Sequence, residues 1–126
     1  MCIMLNVLAV GIGGAIGAVF RYLLCHIIPK CGSGFPIGTF CINLLGCFII
    51  GLITAGTEKY VGIHPRTLLF LQTGLCGGFT TFSTFSLEVF LLVQQGKFFL
   101  AVFYMVSSMI IGVLLIFFAR RLVFIY

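Results

Sequence analysis

Four times along this chain a run of about 20 residues passes with almost no charged side chain, and this repetition limits the possible folds more than any motif does. A helix of that length crosses the hydrocarbon core of a bilayer. The runs extend from about Leu5 to Ile28, Ile37 to Ala55, Thr67 to Val93 and Phe98 to Phe118, joined by short connectors. Of 126 residues, 62% are hydrophobic and 7% charged, too few polar groups to coat a water-soluble body of this size. Lipid offers the backbone no hydrogen bonds, so each run must close its own as a helix. The sequence therefore predicts an all-α membrane protein with four transmembrane helices in one domain spanning residues 1–126, without a linker or low-complexity tail.

The remaining features exclude several functions. Seven basic residues against two acidic ones give a net charge of +5, but they stand singly and form no patch that would hold nucleic acid. The six cysteines (2, 25, 31, 41, 47 and 76) include no C-x-x-C, and most lie in apolar runs where a thiol packs as a small soft hydrophobe. The opening MCIMLNVLAV has no basic residue before its apolar run, so the first span is expected to stay rather than be cleaved as a leader. GIGGAIG has Ile16 where a dinucleotide loop needs its third glycine, and no strand precedes it. His26 and His64 fall at a span end and in a loop, and read as interfacial groups rather than metal or haem ligands. No nucleophile–base pair or metal constellation is present, so an enzyme is not expected.

Orientation is set by Lys and Arg near the span ends. Lys59, Arg66, Arg120 and Arg121 lie on the side holding both termini; Lys30 and Lys97 lie on the other, with Arg21 near it. So near a tie is open to two readings. The orientation is simply undetermined by charge, or the chain inserts both ways and two copies pair antiparallel, reproducing the inverted repeats of many transporters. Gly13 and Gly17, Gly51 and Ala55, and Gly74 and Gly78 are each four apart, spacing that suits close helix contact and favours an oligomer.

A few polar groups lie inside the spans. Arg21 is about two turns from the end of the first, Asn43 about two turns into the second, and Glu88 about a turn and a half from the end of the third. Tyr104 and Ser108 share a face of the fourth at i, i+4, with Ser107 beside them. An ionisable group at mid-bilayer costs roughly 2.5–3.5 kcal/mol, so such groups face protein or water. Arg21 can alternatively snorkel to the headgroups, and Glu88 can hold a structural hydrogen bond near the interface. A buried amide such as Asn43 must find partners, commonly by bridging helices.

The stretch GLCGGFTTFSTFS, residues 74–86, combines these themes. Gly77 and Gly78 fall near the middle of the third span, where glycine weakens a helix. A break there is expected, although a flexible kink would also fit. Carbonyls freed at a break in lipid need partners, and they are hard ligands suited to a small cation such as Na⁺. Phe79, Phe82 and Phe85 then recur every third residue, with Thr80, Thr81, Ser83, Thr84 and Ser86 between them. Phenylalanine stripes usually serve packing. Here the hydroxyls add donors beside rings whose edges are electropositive. With Asn43, Tyr104 and Ser108 the membrane interior is rich in neutral donors and short of charge, as a path for a small anion requires.

GGAIGAVFRY in the first span, GTFCINLLGCFIIG in the second and GLCGGFTTFSTFSLEV in the third resemble the Fluc (CrcB) family of fluoride channels over essentially the whole chain. The resemblance implies an antiparallel, dual-topology homodimer in a bacterial cell membrane that passively exports fluoride and lowers its cytoplasmic concentration. It implies two pathways in which Phe82 and Phe85 present ring edges, Asn43 donates its amide, and Tyr104 and Ser108 form a polar track. Thr39 and Thr84 would be further donors, Arg21 the basic position near a vestibule and Glu88 the acidic position at the pore end. It also implies a structural Na⁺, not transported, bound by the backbone carbonyls of Gly77 and Thr80 from both subunits. Gly112 departs from the family, whose members often carry the polar track a turn beyond position 108. The competing class is a proton-coupled four-span exporter of cations or drugs, of the small multidrug type. Its carboxylate deep in the first span is missing here, where only Arg21 is charged. A non-transporting assembly subunit would leave the donor-rich stripe unexplained.

Overall fold

A computed structural model describes residues 2–28, 34–60 and 62–125. The expected stop at Pro29-Lys30, the charge of Lys30 and the thiol of Cys31 lie outside the described residues, as does the side chain of Cys2. The chain is all helical: α1 (Cys2–Ile27), α2 (Ile37–Lys59), α3 (residues 65–79), α4 (Phe82–Gln94) and α5 (Phe98–Ile125). Taken together, α3 and α4 form one interrupted span, so among the described residues four helices are long and apolar enough to cross a membrane.

Helices outrun the apolar runs that announce them. The second continues through Lys59, and the fourth continues past Phe118 to Ile125. Charge does not stop a helix that has emerged into the headgroup region, and here it finds partners. Arg120 donates both guanidinium nitrogens to the Glu58 carboxylate at 2.7 and 2.8 Å, and Lys59 Nζ donates to the Val123 carbonyl at 2.7 Å near the end of α5. The third span starts at Pro65, a first-turn position where the missing N–H is not needed. His64 caps it: its Nδ1 accepts the Arg66 backbone N–H at 3.1 Å.

Packing falls into two pairs, α1 against α3 and α2 against α5, with α4 resting on α5; among the described residues the backbone of α1 makes no close approach to α4 or α5. The first pair is a backbone-to-backbone contact. A Cβ at Gly13 would run into the Phe70 carbonyl oxygen, one at Gly17 into the Leu75 carbonyl oxygen, and one at Gly78 into the Gly14 carbonyl oxygen. In the second pair, a Cβ at Gly51 would stand 2.9 Å from that of Ala119. The small residues expected to mark an oligomer are therefore used within one chain, and the spacing carries no vote for a second copy.

The break also differs in position and cause from the expectation. Gly77 and Gly78 sit in a short α-helical turn, Gly77–Phe79, at the end of a π-helical stretch, Leu69–Cys76. The backbone becomes extended at Thr80 and Thr81, with φ, ψ of −81°, 159° and −147°, 116°. Gly78 is needed for the approach to α1, and the interruption rests on two threonines and the side chains that bind them.

Candidate functional site

An unbroken helix would aim the Thr81 N–H at the Gly77 carbonyl and the Thr84 N–H at the Thr80 carbonyl. Both donors are diverted. The Thr81 N–H goes to Asn43 Oδ1 at 2.9 Å, and the Thr84 N–H goes to the Thr81 side-chain Oγ1 at 3.2 Å, making Thr81 the N-cap of α4. Asn43 completes the pairing by donating its Nδ2–H to the Thr81 carbonyl at 3.1 Å. One amide on α2 thus replaces the helical acceptor of the buried Thr81 N–H and adds a donor at the Thr81 carbonyl, and Gly77 and Thr80 keep carbonyls without their i+4 donors.

Beside the break, α2, α3, α4 and α5 border an open groove of about 390 Å³ whose walls include Asn43, Thr80, Thr81, Phe82, Phe85 and Ser108. The Phe82 and Phe85 rings lie 5.9 Å apart and 36° from parallel, and Phe85 sits 4.9 Å from the Tyr104 ring. Phe85 is half-buried, while Phe82 is 80% exposed and projects from the chain's surface. The Ser108 hydroxyl is buried without a hydrogen-bond partner among the described residues.

Which donors remain free decides what the groove can bind. Thr80 spends its hydroxyl hydrogen on the Cys76 carbonyl at 2.9 Å, and Thr81 donates to Thr84 Oγ1 at 3.0 Å. Thr39 donates to Glu88 Oε1 at 2.6 Å, and Tyr104, fully buried, donates to Glu88 Oε2 at 2.8 Å. The expected donors Thr39 and Tyr104 thus have their hydrogens on a carboxylate at the α2–α4–α5 junction. Thr84 keeps its own hydroxyl hydrogen and is exposed. Asn43 keeps its second amide hydrogen and Ser108 its hydroxyl, both facing the same groove.

Arg21 is half-buried on α1 and is not among the residues that line this groove. It lies one turn before Cys25, whose Sγ is 3.6 Å from where a Gly38 Cβ would be; Arg21 therefore belongs to the end of the molecule where Thr39 meets Glu88. Of the residues singled out in the sequence, the fold brings Asn43, Phe82, Phe85 and Ser108 to one groove. Thr81, Gln72, Cys47 and Cys76 also line the groove and do not stand out in the sequence; the one local signal for Thr81 is a side-chain oxygen three residues before the Thr84 N–H. The four thiols at 25, 41, 47 and 76 are free.

The family model described as "CrcB-like protein, Camphor Resistance (CrcB)" matches residues 8–120. Proteins named "Fluoride-specific ion channel FluC" are similar over most of their length. That of Oceanobacillus iheyensis is 44% identical over 119 residues, covering 94% of this chain and 92% of the relative. That of Chlorobium phaeobacteroides is 41% identical over 115 residues, covering 91% and 90%. That of Ruminiclostridium cellulolyticum is 52% identical over 95 residues, covering 75% and 73%.

Proposed function

This chain belongs to the CrcB-like family, and we propose that it is a fluoride-specific channel of the cell membrane that lets fluoride leave passively. The observation that carries the reading is the groove beside the helix break, where uncharged groups with unspent hydrogens, Asn43 and Ser108, face the rings of Phe82 and Phe85. Fluoride is small and accepts strong hydrogen bonds. Donors spaced along a narrow path can stand in for its hydration shell, and larger chloride gains less from the same contacts. No fixed positive charge lines the groove to hold the ion. Phe82 and Phe85 supply ring edges of positive potential without a countercharge.

The working unit in this proposal is an antiparallel pair of copies. A single chain leaves Phe82 uncovered and much of the groove without an outer wall, and the balanced basic residues are compatible with insertion both ways. A structural Na⁺ fits the Gly77 and Thr80 carbonyls: both have lost their i+4 donors, both are hard oxygen ligands, and two copies would contribute four. The ion would supply the charge that keeps these carbonyls from re-forming helix and would hold the copies together. Glu88, held by Thr39 and Tyr104, and Arg21 would mark the approach to the pathway rather than its centre.

Fluoride efflux from liposomes holding the purified protein, with chloride for comparison, tests the reading. Fluoride should run down its gradient without a proton gradient, and chloride should stay. Equal passage of both halides, or efflux that requires a proton gradient, refutes it. Phe85→Ile should slow fluoride at least tenfold while the protein elutes from gel filtration as before. Native flux through that variant would remove the rings from the pathway.

A further inference from the structure

The donors of the groove can be followed along its length. From α2 come Asn43, Gly46, Cys47 and Ile50, and from α3, running the other way, Thr80, Gly77, Cys76 and Gln72. A Cβ at Gly46 would meet the Thr80 methyl, which fixes the register: Asn43 lies beside the break, and Ile50 and Gln72 lie about a turn beyond Gly46 and Cys76 at the groove's other end. On α5, Ser108 is the last hydroxyl in this direction. One turn on comes Gly112, packed so that a Cβ would be 3.2 Å from Cys47 Sγ. Past Ser108, then, the residues of α2 and α5 that line the groove offer no side-chain donor other than the weak Cys47 thiol.

Gln72 lies in that stretch. It is half-buried in the π-helical segment, it lines the groove, and its side chain makes no hydrogen bond among the described residues. Its phase on α3 is what brings it there. Gly74 and Gly78 occupy the face against α1, and Gln72 and Cys76, four apart, occupy the face toward the groove. An amide is an expensive group to leave unpaired in a membrane, where Leu would sit at no cost. It is also the right chemistry for the position: two N–H donors, no charge, and a flexible stem that can follow an ion over a few ångströms.

We propose that Gln72 is a fluoride-coordinating residue, the donor that receives the ion from Ser108 and carries the pathway through the stretch where α5 has only Gly112. This rests on the channel reading. Two polar stations on different helices, Ser108 on α5 and Gln72 on α3, would then share the dehydration of the ion between the level of Asn43 and the end of the groove.

Gln72→Met keeps an unbranched stem of similar volume and removes both donors. In reconstituted liposomes it should lower initial fluoride efflux by about tenfold or more, the scale of losing a hydrogen bond to a charged partner, with gel-filtration behaviour unchanged. Gln72→Glu keeps the size and replaces the donors with an anion. It should conduct still less at neutral pH and recover as the pH falls and the carboxylate takes up a proton, a profile that packing alone would not produce. Native efflux through Q72M overturns the proposal. If Q72M does not assemble, Q72E decides alone: a rate close to native and independent of pH overturns it. Failure of the native protein to pass fluoride would sink the channel reading itself, whereas normal flux in the native protein and in both variants removes Gln72 only.

Discussion

Replacing Asn43 with Leu tests whether the break in the third span is held open by a side chain rather than by glycine. In the native chain two hydrogen bonds, at 2.9 and 3.1 Å, hold the Thr81 backbone to this amide. Each is worth about 0.5–1.5 kcal/mol net, and leaving the buried Thr81 N–H unpaired costs about 1–3 kcal/mol more. Leucine removes both bonds, and the stranded N–H can recover a partner by turning back to the Gly77 carbonyl. The balance between broken and closed backbone should therefore move by about 2–4 kcal/mol toward closure, about 30- to 900-fold. Two measurements follow. The ¹³C chemical shifts of Thr80 and Thr81 should move from extended toward helical values, and fluoride efflux should fall at least tenfold. Asn43→Asp separates the two tasks of this residue. It still offers the Thr81 N–H an acceptor, so the extended shifts should survive, while its charge repels fluoride and flux is lost. Asn43→Leu protein with extended shifts at Thr80 and Thr81 would refute the reasoning, because the break would then need no support from α2.

Other consequences can be checked separately. Gly17→Leu drives a side chain into the Leu75 carbonyl and the Phe79 backbone nitrogen, 2.7 Å from the new Cβ; overpacking of this kind costs about 1–3 kcal/mol or more, so the yield of folded protein should fall well before any effect on conduction is measurable. Glu88→Ala leaves the Thr39 and Tyr104 hydroxyls without their acceptor, one of them in a fully buried ring. It should lower thermal stability in detergent by more than Tyr104→Phe does, since the phenylalanine variant removes a donor without stranding one. Exchanging Na⁺ for a bulky organic cation should weaken the association of two copies in gel filtration, and persistence of the pair at every Na⁺ level would argue against an ion at the Gly77 and Thr80 carbonyls.

The spans were legible because lipid imposes a rule that composition must obey: about 20 apolar residues per crossing, with charge pushed outward. The grouping of Asn43, Phe82, Phe85 and Ser108 was legible from residue type, since amides and hydroxyls are costly in that setting and collect where they are used. The cause of the break was not. Gly77-Gly78 carries the stronger local signal, and the decisive contact joins residues 38 positions apart. Nor could spacing alone show whether Gly13 and Gly17 met another chain or Gly74 and Gly78 of their own. The fate of each hydroxyl was equally hidden. Thr39 and Tyr104 look like free donors in a string of letters, and only the fold brings Glu88 within 2.6 and 2.8 Å of them.

These contacts also divide the labour among the helices. The α1–α3 contact closes backbone to backbone where glycines face each other, so that face of α3 has no side chain to lend to a pathway and the face carrying Gln72 and Cys76 turns to the groove; the contact fixes the rigid half of the third span. The other half, α4, starts afresh at the Thr81 cap and leans on α5 instead. An interruption that hands one span from the first partner to the second leaves the two extended residues between them in neither helix; the Thr80 N–H still reaches the Cys76 carbonyl at 3.0 Å, but the Thr81 N–H must be satisfied by something outside the span. Asn43 does this for Thr81 with one edge of its amide, and the same geometry leaves its remaining N–H directed elsewhere. The group that keeps the helix broken and the group best placed to meet an anion are therefore one residue, which is why Asn43 variants must be read by backbone shifts as well as by flux.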